Sequence, residues 1–189
     1  MLFKGTWCLF PLLVASVNAA PHEKRSIQTG KRVLAYGENI TGFAVYADTD
    51  GFAVIADPEN DNSELFEASW TLDTDGALAW NVSFSVPHNA SANVTEDTAS
   101  FYILPDADFA QSGFTVNGST PDGAETEGFV LYGHDIMFSS GDSLQSKFWA
   151  QNTSSGYWNL VWNTEGSSKS DSVPVMLMTD DDDDDSSSS

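Results

Sequence analysis

Strict alternation of apolar and polar residues, broken by Asp-Gly turns, leaves this chain few folds to choose from. In Leu78-Ala79-Trp80-Asn81-Val82-Ser83-Phe84-Ser85-Val86 the large apolar residues 78, 80, 82, 84 and 86 share one face. Ala79, Asn81, Ser83 and Ser85 share the other. Successive strand side chains point to opposite faces, so this is a strand with one buried and one wetted side. The segment before it repeats the pattern, with Phe66, Ala68, Trp70 and Leu72 inward and Glu67, Ser69 and Thr71 outward. Between the two runs lies Asp73-Thr74-Asp75-Gly76. The same tetrapeptide, Asp48–Gly51, separates Gly42–Ala47 from Phe52–Ala56. Asp-Gly supplies the positive φ that a tight hairpin needs, so two hairpins in tandem are predicted.

Further strands are predicted at Ser100–Leu104, Gly128–Tyr132, Ile136–Ser139, Gln145–Gln151, Tyr157–Trp162 and Val173–Met178. Pro174 lacks an amide hydrogen, which suits an edge or an irregular strand. No segment holds an apolar 3.6-residue period for three turns, although Leu144–Ala150 also fits a short helix. The fold class that follows is all-β, an antiparallel β-sandwich of jelly-roll type with about ten short strands.

Residues 1–19 read as a signal peptide: Lys4 gives a positive start, Trp7–Ala15 is a short apolar run, and Val17-Asn18-Ala19 offers small residues for cleavage. The single cysteine, Cys8, lies within it. Residues 20–32 form a propeptide or linker with two dibasic pairs, Lys24-Arg25 and Lys31-Arg32. Cleavage after Arg25 or Arg32 would start the mature chain at Ser26 or Val33. The β-sandwich domain is expected over 33–179. Asp180–Asp185 and Ser186–Ser189 make a tail, 180–189, too charged and too poor in apolar side chains to fold, so it is expected to be disordered.

Six Asn-x-Ser/Thr sequons begin at Asn39, Asn81, Asn89, Asn93, Asn117 and Asn152. A glycan is bulky and hydrated, so each acceptor should face solvent. Lys and Arg total 7 against 28 Asp and Glu, a formal charge of −21. That balance excludes nucleic acid as a natural partner, since phosphates need clustered cations. Membrane insertion is not expected either, because Pro11 and Asn18 interrupt an apolar run already short of the roughly 20 residues a span needs.

The tryptophans invite a sugar-stacking reading, but Trp70, Trp80, Trp158 and Trp162 fall on buried faces of the predicted strands. Trp149, out of phase with Phe148 and Ala150, is the candidate exposed ring, with Tyr157 beside it. The two Asp-Thr-Asp-Gly turns resemble the opening of a calcium loop. They lack its third ligand and its bidentate Glu, and read better as hairpin turns. Glu64, Glu67, Asp135 and Asp142 are carboxylates available for glycoside hydrolysis, with no spacing that singles out a pair. His88 and His134 are too few for a His-rich metal site, and no cofactor motif occurs.

Tyr36–Gly42, Tyr46-Ala47-Asp48, Gly51–Ile55, Gly128–Gly133, Phe148-Trp149-Ala150 and Tyr157–Asn163 together resemble a group of small secreted β-rich proteins of filamentous fungi. The resemblance runs over most of 33–178. The chain departs from the group by Thr49-Asp50 in its first hairpin and by its Asp/Ser tail. The resemblance implies a secreted chain and carries no functional residue across. The expected function is a non-enzymatic extracellular or cell-wall-associated glycoprotein, with wall polysaccharide or a surface protein as partner. The alternatives are a polysaccharide-binding module and a divergent jelly-roll enzyme acting on glycans.

Overall fold

The computed structural model describes residues 26–180 apart from Asp75, residues 86–98 and Val116. The described residues form fifteen strands and no helix. In chain order they are β1 (Ile27–Lys31), β2 (Val33–Gly37), β3 (Ile40–Ala47), β4 (Ala53–Ala56) and β5 (Phe66–Asp73). Next come β6 (Asn81–Ser85), β7 (Ala99–Tyr102), β8 (Ala110–Gln111), β9 (Gly113–Phe114) and β10 (Phe129–Tyr132). The last are β11 (Asp135–Ser140), β12 (Ser143–Gln145), β13 (Phe148–Asn152), β14 (Trp158–Trp162) and β15 (Ser172–Thr179). Every pairing between them is antiparallel.

The all-β antiparallel expectation holds, with fifteen strands rather than about ten. The sandwich expectation gives way to a closed ring. β2 pairs β3, β3 pairs β4, β4 pairs β14, β14 pairs β13, β13 pairs β15, and β15 returns to β2. A six-stranded barrel is narrow, so its interior must mix small and large side chains. Ala35, Ala47, Ala53 and Ala150 accordingly interleave with Ile55, Phe148, Leu160, Trp162, Val175 and Leu177.

Outside the ring, the start of β5 pairs β3 at Ala47↔Phe66, its C-terminal half pairs β1, and β6 pairs β5 as well, followed by β7 and β9. The β10–β11–β12 meander meets the ring at Asp135↔Met178. One aromatic chain runs through all three parts: Phe84, Phe114, Trp70, Phe101, Phe129, Phe138, Trp162 and Phe148. Its consecutive ring centroids are 5.0–5.6 Å apart. Such contacts add about 0.5–1.5 kcal/mol each beyond the area they bury. Trp80 packs on Phe129, and its indole N–H donates to the Asp73 carbonyl at 3.0 Å.

Some local expectations change. Leu78 is exposed, because the strand starts at Asn81 and residues 76–78 turn. Asp48–Gly51 makes the predicted hairpin, with Gly51 at φ 87°. The second Asp-Thr-Asp-Gly opens a wider excursion, since the Asp73 carboxylate accepts from the amides of Ala77 and Leu78 and Trp80 folds back onto it. Leu144–Ala150 is strand at both ends, in β12 and β13, where ladder hydrogen bonds outweigh any helical tendency. β15 is an inner stave, not an edge. Pro174 sits where pairing passes from β13 to β2, so its missing N–H falls at the hand-over.

Candidate functional site

β13 and β14 present one face to the core and one outward. Phe148, Ala150, Leu160 and Trp162 point in, so Trp149 and Gln151 must point out, opposite Val161 and Asn159. Trp149 is therefore on the outer side, as expected, but half-buried. Phe109 meets it edge-on with centroids 5.6 Å apart, and the Lys169 ammonium lies 3.9 Å from the Phe109 ring centre. Phe109 reaches that position at φ 51°, next to the two-residue strand β8, which pairs with β14.

Tyr157 lies on the same outer side, at the other end of the hairpin. It lies four positions before Val161, the partner of Trp149, a rise of about 13 Å. Gln151 and Asn159 fill the interval, and the Gln151 amide donates to Asp171 at 3.0 Å. The two aromatics thus belong to separate patches and do not form one stacking platform.

Tyr157 packs against a second, smaller apolar cluster of Ala44, Tyr46, Val54, Ala56 and Leu65 on the outer barrel face. It also forms one wall of a cleft of about 280 Å³ at the barrel mouth, closed on the other side by residues 60–65. That loop is braced internally. The Asp57 carboxylate accepts from the Glu59 amide, the Asn62 side chain donates to the Asp57 carbonyl, and the Asp61 carboxylate accepts from the Ser63 amide. The Ser63 hydroxyl and amide hold the Asp61 carboxyl below its usual range. Across the cleft the Tyr157 side faces Asn60, Asn62, Ser63 and Glu64, so an aromatic residue stands opposite amide, hydroxyl and carboxylate side chains. Of this loop the sequence singled out only Glu64, although the run Asp57–Glu64 concentrates amide and carboxylate side chains.

The four carboxylates considered for hydrolysis lie on separate elements. Glu64 is in the cleft loop, and Glu67 is on β5, 3.6 Å from the Arg32 guanidinium. Asp135 opens β11, and Asp142 lies beyond its end, in the turn to β12. Among the described residues no cluster of His, Cys, Asp and Glu is arranged to hold a metal ion. In the first hairpin the Asp48 carboxylate accepts from the amides of Asp50 and Phe52 at 2.9 and 2.8 Å, serving the turn.

Asn39, Asn81, Asn117 and Asn152 are all exposed. Asn39 and Asn117 occupy left-handed turn positions at φ 59° and 52°. Asn81 stands on the wetted face of β6, and Asn152 ends β13. Register places them in two groups. Gln151 opposes Ser172 and Gly37 opposes Val175, so Asn152 and Asn39 open at the barrel end where β15 begins. Asn81 opposes Ser100, whose backbone bonds Thr115, two residues before Asn117. Asn89, Asn93, His88, Arg25 and the tail beyond Asp180 lie outside the described residues. Arg32 links β1 to β2. Compared with models of known protein families and with curated proteins, the chain matches none.

Proposed function

We propose that this chain is an exported, N-glycosylated protein of the extracellular space or cell wall, acting through its surface and not through a reaction. The carrying observation is the exposure of all four described sequon asparagines. Turn geometry alone accounts for asparagine at 39 and 117, because Asn tolerates the left-handed region. It does not account for Asn81 or Asn152, nor for the Ser or Thr two residues after each of the four. The resemblance to small secreted fungal proteins agrees with this reading. The test is expression of the full chain in a secretory host, followed by endoglycosidase digestion and intact-mass measurement. A heterogeneous band in the medium that collapses to one species is expected. A single intracellular species retaining residues 1–19, unmoved by the enzyme, would overturn the proposal.

A second reading is favoured by the cleft at Tyr157: a polysaccharide-binding module that grips a sugar between that ring and the 60–65 loop. On this reading Tyr157→Ala abolishes retention on an insoluble polysaccharide column, and Trp149→Ala, on a separate patch, leaves it intact. Equal retention of both variants and the parent chain would remove this alternative.

A further inference from the structure

Of the two dibasic pairs, one is built into the fold. Lys31 ends β1 opposite Trp70 and is only 8% exposed. The Arg32 backbone is held by Asp180: its amide donates to the Asp180 carboxylate at 2.9 Å, and its carbonyl accepts from the Asp180 amide at 3.1 Å. Its guanidinium lies 3.6 Å from Glu67. The next residue, Val33, is 1% exposed and starts β2, which is hydrogen-bonded to β15 on one side and to β3 on the other.

We infer that Lys31-Arg32 is a structural clamp closed to processing proteases, and that processing ends at the Arg25–Ser26 bond. This rests on the export reading above. A protease specific for dibasic pairs must take both cationic side chains into acidic pockets and hold several residues around the scissile bond as a free extended strand. At Arg32 that requires lifting Lys31 out of its buried site and stripping β2 from both neighbours, which opens the barrel. Local opening there approaches global unfolding, and cleavage tracks the population of the open state. Arg25–Ser26 precedes β1. Downstream of that bond, Ser26 holds only the edge of the fold, through its amide and carbonyl to Thr74. The mature chain therefore keeps β1, which covers the outer edge of β5.

The test is digestion of the purified full chain, made in a host lacking dibasic endoproteases, with a purified kexin-type enzyme. N-terminal sequencing should give Ser26 alone. Cutting after Arg32 should be on the order of 1,000-fold slower in the folded chain than in the same chain unfolded by urea. Lys31→Ala/Arg32→Ala should leave the product unchanged, and Lys24→Ala/Arg25→Ala should abolish it. A Val33 terminus released from folded protein as fast as from unfolded protein overturns the clamp. A folded chain resistant at both pairs overturns the assignment of Arg25. Failure of export is read separately, as a starting mass that retains residues 1–19, and does not alter either outcome.

Discussion

Asp48 shows how one side chain closes a hairpin and carries a pH signature for it. Its carboxylate accepts from two turn amides, of Asp50 and Phe52, in a half-buried position. Burial raises its pKa above the usual carboxylate value, the turn amides pull it back, and the Asp50 charge adds to the rise. A raised folded-state pKa means that its stability contribution is complete below the ordinary carboxylate pKa. That contribution is lost as pH rises through the raised value. Asp48→Asn keeps an acceptor oxygen without the charge. Wild type should therefore gain on this variant as pH falls from about 7 toward about 4. Asp48→Ala loses the acceptor and should cost about 0.5–2 kcal/mol at every pH, as loss of a cap does. Paired thermal melts across that range measure both, and an Asn variant that gains on wild type in acid would contradict the burial argument. At this scale period-2 reading identified the buried Trp70, Trp80, Leu160 and Trp162, together with the wetted Asn81. It could not see Trp149's cover. Alternation assigns a face but not what lies over it, and Phe109 arrives from the turn before a two-residue strand, with no pattern of its own.

Ring closure depends on β2 pairing with β15, and at Gly37 the two strands leave no room for a side chain. A Cβ there would sit 2.7 Å from the Pro174 carbonyl oxygen and 2.9 Å from a Val175 methyl. The obstruction includes backbone, so no rotamer relieves it. Gly37→Ala should destabilise by about 1–3 kcal/mol, as overpacking does. Urea unfolding should show a lower midpoint at unchanged slope. An unshifted midpoint would mean that β15 does not crowd β2 at this position. That ladder was also the least legible element pairing. Val33 and Thr179 are paired across most of the domain, and nothing local in either strand names its partner. β1 was hidden for a different reason. Ile27-Gln28-Thr29-Gly30-Lys31 is mostly polar and exposed, so it reads as linker until its bonds to β5 are seen.

For the molecule as a whole the dominant long-range term is its own charge. With 28 acidic against 7 basic residues, the described part contains only Lys31, Arg32, Lys147 and Lys169 as cations. Arg32 lies beside Glu67 and Lys169 acts on Asp171, but four cations are too few to offset the carboxylates around them. Net charge this far from zero keeps a protein soluble and destabilises its compact state through self-repulsion. Salt shortens the reach of that repulsion, from about 10 Å at 0.1 M to about 3 Å at 1 M. Raising sodium chloride from about 0.02 to about 0.5 M at neutral pH should therefore raise Tm. Each ~1 kcal/mol of relieved repulsion would appear as about 2–4 °C for a chain of this size. Potassium chloride should act alike, because the effect is screening and not binding of a particular ion. A Tm that falls with either salt would mean that attractive pairs such as Arg32–Glu67 outweigh the surplus of carboxylates. The dominance of self-repulsion would then be wrong.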